Sequence, residues 1–508
     1  MTTTATTASG LQKAQLHQLL GALIAAVSLA ALDTNILVTA LPTIAGQFNA
    51  FEQLSWVITA YIVTSTISTP LLGKLSDLYG RRSVFQFAMG TFAIASVLCG
   101  LSQSIWQLVA ARAFQGVGGG AIQALAFAII GDVLSPRERG RYIGYFTMAF
   151  AGAAFLGPVL GGVIIDRWSW PWIFYLNLPL CAAVMVVTHR VLKLPFARRQ
   201  ARLDWLGALL LALGLTSLMI GLELGRSSLT NRSSLLLISV AAVLLTVFVV
   251  QESRADEPMI PLRLFRNPVV LSSSMLGVCL GAVSFGGTNF MTVYFQDALF
   301  VSPTRSGLRT LPLMVGVVIG STLTGRLIAK RGYYKRFPVG GTFIAGIGLF
   351  ALSLTIFRTS PYGYLVPCLA LMGLGMGASY TTTSIATQNA CEARDMGVAT
   401  ATIMFFRNLG GAVMGAVSGT VLNKTIRSEL PRRTGLSADE AVKLIREPAQ
   451  IKALPEGSRA AVVDAISTGV GRIQLIGAVL LVVGFVWAVR MPELPLRSSA
   501  GLGQAPSE

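Results

Sequence analysis

Apolar stretches of about twenty residues recur along the whole chain, separated by short segments that hold most of the charge. A helix of that length crosses a hydrocarbon core of about 30 Å, and in lipid only helices and closed barrels satisfy their own backbone groups. The alternating segments of about ten residues that build a membrane barrel do not occur. Composition agrees: 53% of the 508 residues are hydrophobic, 12% are charged, and the mean hydropathy is +0.66. A soluble chain carries about twice that charge fraction. The sequence therefore predicts an all-α, multi-pass membrane protein.

Setting apolar runs against breaks gives fourteen expected spans: 19–41, 54–72, 84–101, 106–131, 142–165, 172–191, 205–223, 234–251, 269–297, 307–329, 338–357, 363–387, 398–422 and 473–490. The first run is long and has no clear small-residue cleavage site, so it reads as a retained span. Residues 1–18 form an N-terminal tail and 491–508 a C-terminal one. Residues 19–191 and 269–490 are read as two six-helix halves, with 192–268 carrying two inserted helices.

The net charge of +18 does not point to nucleic acid, because the basic residues sit between spans. Lys74, Arg81 and Arg82, then Arg137, Arg139 and Arg141, then Arg198, Arg199 and Arg202 follow even-numbered spans. Arg263 and Arg266, and Lys330, Arg331, Lys335 and Arg336, do the same, whereas 42–53 and 102–105 hold no Lys or Arg. The positive-inside rule then places both termini in the cytoplasm, in a cell membrane. The basic segment 423–472 opposes the rule, since the count puts it outside. Within it, "LSADEAVKLIREPAQIKAL" has the pattern of a short amphipathic helix. The five cysteines have no metal-like spacing and read as free thiols in helix packing.

An internal repeat supports two halves. "GKLSDLYGRR" begins at Gly73 and "GRLIAKRGYYKR" at Gly325, each with a second glycine seven residues on, and each joins two spans. In the first copy Gly73 and Gly80 permit close approach and a tight turn. Asp77 can pair with Arg81 or Arg82, or sit at a helix N-terminus. Such a cluster can latch one conformation, or be a solvated loop that sets topology. Ala329 replaces the acid in the second copy, so any latch is one-sided.

The membrane interior holds few ionisable groups. Asp33 lies inside the first span and Arg112 inside the fourth, with Gln115 and Gln123 on the face of Arg112. The partner expected for Arg112 is a carboxylate or backbone carbonyl of the first span, unless it snorkels to an end. For Asp33, permanent pairing and reversible protonation are both open. His17 and His189 lie near span ends, which leaves Asp33 the best-placed titratable acid. Asn35, Tyr61, Gln123, Asn289 and Gln296 are candidates for lining an otherwise apolar path. Gly157 and Gly161, with Pro158 and Gly162 beside them, form a small-residue stripe expected to make a hinge-like seam between the halves. Gly410, Gly411 and Gly415 resemble it, with Arg407 near the cytoplasmic start of its span. Trp168, Trp170, Trp172 and Tyr175 read as an interfacial belt.

These motifs resemble the major facilitator superfamily, and in particular its fourteen-span drug:proton antiporters. "GKLSDLYGRR" is similar to the loop signature, "RAFQGVGGGAI" to the span-four motif, and "GAAFLGPVLGG" to the span-five motif of antiporters. "LDTNILVTALP", "WSWPWIFYLNLPL", "YFQDALFVSPTRSGLRTLP" and "FFRNLGGAVMGAV" extend the resemblance over residues 15–490. It implies proton-coupled multidrug efflux, a monomer in the bilayer, and amphipathic, often cationic small molecules and protons as what is moved. An exporter of a lipid, peptide or secondary metabolite on the same fold is the alternative. A membrane enzyme is disfavoured by the absence of mid-span His and of any nucleophilic triad. No cofactor and no metal are expected.

Overall fold

The computed structural model describes residues 13–48, 50, 53–134, 136–192, 204–225, 231–255, 258–357, 361–392, 395–434, 451 and 454–496, and their regular structure is entirely helical. In chain order the helices are α1 (Lys13–Phe48), α2 (Leu54–Tyr79), α3 (Arg81–Gly100), α4 (Ile105–Val133), α5 (Pro136–Arg167), α6 (Trp172–Tyr175), α7 (Asn177–Val191), α8 (Trp205–Leu224) and α9 (Arg232–Arg254). They continue as α10 (Pro268–Val293), α11 (Pro303–Arg309), α12 (Leu311–Arg331), α13 (Arg336–Phe357), α14 (Tyr362–Ala390), α15 (Met396–Thr434) and α16 (Glu456–Arg490). Each expected span falls on one helix, except that α6 with α7 makes the sixth, α10 with the π-helical turn Tyr294–Ala298 the ninth, and α11 with α12 the tenth. Among the described residues, twelve segments are long and apolar enough to cross a membrane. The long helices α5 and α15 are not among those twelve.

Local chemistry sets several helix starts. Asp204 accepts from the Gly207 amide at 2.8 Å, Asn231 from Ser233 at 3.1 Å and Asn267 from Val269 at 2.9 Å. Each side chain satisfies a backbone donor that has no partner inside the helix. The repeat has a backbone signature as well. Gly80 (φ 89°) and Gly332 (φ 78°) are the positive-φ glycines of the described residues, and both close the helix that their repeat copy starts in. A side chain at either position would be strained.

Helices α1–α7 pack as one bundle and α10–α16 as another. The inserted pair α8 and α9 pack on each other and reach α2 and α15 through Leu211, Leu215, Phe248 and Phe405. Glu223 of this pair accepts from Thr59 Oγ1 at 3.3 Å. Trp168 and Trp172 are exposed, as a belt requires, but Trp170 is buried and donates to Gln47 Oε1 at 2.6 Å.

The segment 423–472 is shorter as a loop than its charge suggests. Helix α15 continues to Thr434 and α16 starts at Glu456. The two extensions bury Ile426, Leu430, Val462 and Ile466, and Arg472 donates to Thr425 Oγ1 at 3.0 Å. Their apolar face, not their mean hydropathy, keeps them helical. The predicted amphipathic stretch lies largely in 435–450, outside the described residues.

The halves join at the end where α2 turns into α3. Phe127, Ile130 and Phe146 of the first half share one apolar core with Ile328, Ile385, Ala401 and Met404 of the second. Gln388 Nε2 crosses the boundary to the Phe127 carbonyl at 3.2 Å. Gly73 packs so tightly on Ala401 that a Cβ there would lie 2.6 Å from the alanine methyl. Gly144 meets Thr322 in the corresponding α5–α12 crossing.

Candidate functional site

Above that closed end lies a central cavity of about 450 Å³ between the halves, within the size range of small-molecule sites. Phe127, Phe150, Phe285, Leu313 and Met376 give it apolar walls. Asn35, Tyr61 and Gln123 line it as the sequence suggests. Asn289 is exposed and Gln296 sits on the π-helical turn Tyr294–Ala298 after α10; neither lines the cavity. Polarity in an apolar span does not encode how far along a helix the cavity reaches: Asn289 lies one turn beyond Phe285, and Gln296 two turns beyond Thr288.

Asp33, near the middle of α1, is buried behind the cavity wall and does not line it. Its Oδ2 accepts from Arg112 Nη1 at 2.6 Å. Its Oδ1 accepts from Gln115 Nε2 at 2.9 Å and from Asn177 Nδ2 at 2.7 Å. Gln115 Oε1 also accepts from Arg112 at 2.6 Å, and Ser96 Oγ takes Gln115 and Asn177 donors at 2.9 and 3.2 Å. Four helices thus converge on one carboxylate, so Gln115 belongs to the network that holds the pair. Arg112 keeps two nitrogens, Nε and Nη2, without a hydrogen-bond partner among the described residues. Its guanidinium stacks over the Tyr61 ring at 4.3 Å from the centroid, and Tyr61 faces the cavity. One aromatic ring separates the cavity from the ion pair.

The glycines of "RAFQGVGGGAI" explain how α4 reaches this position. A Cβ at Gly116 or Gly120 would collide with α2 at Thr64 Oγ1 and the Ser65 carbonyl, and one at Gly118 with α3 at 2.6 Å from the Ala88 carbonyl. A Cβ at Gly119 would strike the Tyr61 hydroxyl. Helices this close put Arg112 within reach of Asp33 and seat Tyr61 over it.

The span-five stripe has a different place from the one expected. A Cβ at Gly157 would sit 2.6 Å from Asn35 Cβ, and Gly161 abuts Thr39 Oγ1. The seam is therefore between α5 and α1 of the same half, and Gly162 has no neighbour within 4 Å of a Cβ. The side chain of Pro158 is outside the described set. The boundary between halves is crossed more than three turns earlier, at Gly144 against Thr322; a stripe records close contact but not its partner.

The loop cluster assembles around Arg81. Its Nη1 pairs with Asp77 Oδ1 and Ser76 Oγ, both at 2.5 Å, and its Nε with Asp132 Oδ2 at 2.7 Å. Asp77 Oδ2 accepts from the Val398 amide at 3.1 Å, in the first turn of α15 in the opposite half. Gly397 lies directly against Asp77 and Arg81, with no room for a Cβ. Both sequence options for Asp77, a partner arginine and a helix N-terminus, hold at once; Arg82 stays outside the cluster.

Sequence reasoning missed Asn177, Ser96 and Arg407. Asn177 stands inside "WSWPWIFYLNLPL", whose tryptophans drew the reading toward the interface. An amide two residues before a proline in an apolar run is the signal that was there. Arg407 lies eleven residues into α15, about 16 Å from its start at 1.5 Å per residue, and lines the cavity. It is the one charged side chain in that wall among the described residues.

Two helical bundles around a central cavity, joined at one end by a charged cluster, define a membrane transporter rather than an enzyme. The chain belongs to the Major Facilitator Superfamily, whose family model matches residues 23–415. An uncharacterised MFS-type transporter of Mycobacterium tuberculosis is 34% identical over 481 residues, covering 94% of this chain and 69% of its own. Multidrug resistance protein 3 of Bacillus subtilis is 30% identical and covers 94% of this chain and 95% of its own. The multidrug transporter protein MdtP of the same organism is 32% identical over 80% of this chain and 76% of its own. Among solved structures, the human organic anion transporter MFSD10 superposes with a TM-score of 0.61 at 18% identity, covering 92% of this chain and 99% of its own. The proton:xylose symporter XylE gives 0.60 at 14%, covering 94% and 96%. At those identities the likeness is one of fold.

Proposed function

We propose that this transporter is a proton-coupled antiporter that exports amphipathic small molecules across the cytoplasmic membrane by alternating access. The observation that carries the reading is the Asp33–Arg112 pair, buried one aromatic ring away from the cavity. Protonation of Asp33 discharges it and frees Arg112, whose unpartnered nitrogens lie beside Tyr61. A proton taken up at the pair is thereby felt at the cavity wall. Two bacterial relatives named for multidrug resistance or transport support the direction of movement. Cationic cargo is not part of this reading, because the acid that suggested it is not in the wall of the cavity. Inverted membrane vesicles with an acid interior should accumulate fluorescent amphiphiles and release them when a protonophore collapses the gradient. Accumulation that survives the protonophore, or none with any probe, would remove the proposal.

The same reading has fourteen spans and both termini in the cytoplasm. Helix α5 packs lengthwise on α1 and α12, and α15 on α10, which supports equal depth. The closed end of the cavity is then cytoplasmic, with the Asp77–Arg81–Asp132 cluster as its latch. Single cysteines at Tyr79 and Arg254, both on exposed surface, should label from the cytoplasm, and one at Trp168 from outside. A cysteine at Arg232, exposed at the start of α9, should label from outside with Trp168; labelling of Arg232 from the cytoplasm would rule out α8 and α9 as a spanning pair.

A further inference from the structure

The charge that cargo meets in this cavity is positive. Arg407 projects from α15 into the wall, half-buried, and no Asp or Glu lines the cavity among the described residues. Its guanidinium lies 5.3 Å from the centroid of the Tyr380 ring, which covers one face of it. The Tyr380 hydroxyl is committed to the Leu280 carbonyl at 3.1 Å, so the ring is held in place. No hydrogen bond or ion pair to a described group occupies the planar fork of Arg407. The other buried arginine of the membrane core, Arg112, is neutralised at 2.6 Å by Asp33 and sits behind Tyr61. The two halves therefore contribute differently: the first a closed ion pair, the second an open cation.

A guanidinium stacked on an aromatic face, with its edge free, matches carboxylate, sulfonate or phosphate oxygens in a bidentate arrangement. The flanking Asn408 and Ser384 add neutral polar groups at the same wall. Phe127 and Phe150 of the facing half, with Leu313 of the same half as Arg407, line the same cavity and offer apolar surface for a hydrophobic body. We propose that the cavity binds amphipathic anions, with the acidic head group on Arg407 and the apolar body against the facing aromatic wall. This rests on the exporter reading for what becomes of the ligand, but the binding itself does not require that protons drive it. A cation of the same shape would have to approach an uncompensated positive charge in a low-dielectric cleft.

The test uses the full chain in nanodiscs of zwitterionic lipid, with pyrenebutyrate, pyrenebutanol and pyrenebutylammonium as probes of one body and three charges. Binding is read by fluorescence against empty nanodiscs. The expected order is anion tightest and cation weakest, with the anion ahead of the alcohol by about 10- to 100-fold, the range of a charge-assisted contact. Arg407→Gln should bring anion and alcohol together, and Arg407→Lys should keep part of the difference. If Arg407→Gln does not fold, Ser384→Asp places a carboxylate in the same wall and should abolish the anion preference. A wild-type protein that binds the ammonium probe at least as well as the butyrate, or Arg407→Gln with undiminished preference for the anion, overturns the proposal. Inverted vesicles separate this from the exporter reading. Anion binding without gradient-driven movement refutes the antiporter and leaves the site standing; gradient-driven movement of cations alone does the reverse.

Discussion

Asp33→Asn is expected to abolish gradient-driven efflux and also to destabilise the protein. The substitution keeps the shape of the side chain but leaves Arg112, which is fully buried, without a counter-charge. Removing one partner of a buried pair costs about 3–5 kcal/mol, whereas replacing both is often neutral. The double variant Asp33→Asn/Arg112→Gln should therefore regain thermal stability close to wild type while efflux stays at the level of empty vesicles. Stability and coupling separate only if the pair has a role in transport beyond holding helices together. A purely structural pair would restore both in the double variant. Asp33→Glu keeps the charge on a longer arm and is expected to retain partial activity with a displaced pH profile. Thermal melts and vesicle efflux on the same preparations check all three.

Asp77→Asn is expected to slow transport strongly and to leave binding nearly intact. Asp77 sits outside the cavity lining, at the closed end beneath it, between Arg81 and the first turn of α15. An anion at a helix N-terminus contributes about 0.3–1 kcal/mol, and up to about 2 kcal/mol when partly buried. Loss of about 1–2 kcal/mol shifts a two-state equilibrium by about 5- to 30-fold. The shift runs away from the state in which the α2–α3 end is closed. Spin labels at Tyr79 and Arg331, one on each half at this end, should report longer distances in the variant. Binding affinity should change by less than about 3-fold, since a few tenths of a kcal/mol at most reach the cavity. Lost binding with unchanged distances would mean that Asp77 is not a latch.

The sequence carries the helices almost completely, because each apolar run must satisfy its backbone alone in lipid. It also carries Asp33, Arg112 and Gln115, since ionisable and amide groups are rare in such runs and stand out. What it does not carry is which side of a wall a residue faces. Asp33 and Tyr61 both lie in apolar spans, yet one is behind the cavity wall and the other forms it. Arg407 is legible as a charge but not as a cavity group, because hydropathy places the start of α15 within two residues but does not say which face of the helix lines a cavity. The glycines of α5 show the same limit: Gly157 and Gly161 announce a close neighbour, and only the fold says that it is α1. The loop copies behave differently. Gly80 and Gly332 share a positive φ but differ in ψ, 141° against 4°, while the loss of the acid at Ala329 is readable directly, so the one-sidedness of the charged cluster follows from the sequence alone.

In the proposed antiport cycle, proton movement and cargo movement pass through one pair, Asp33 and Arg112. The direct measurement is proton flux driven by cargo, followed with a pH-sensitive dye enclosed in proteoliposomes at zero initial pH gradient. An outward gradient of a transported amphiphile should draw protons the opposite way in the wild-type protein. The stable Asp33→Asn/Arg112→Gln double variant, with cargo binding retained, should show no such flux. Cargo-driven proton movement in that variant equal to wild type would contradict the account and leave the pair as a structural clamp.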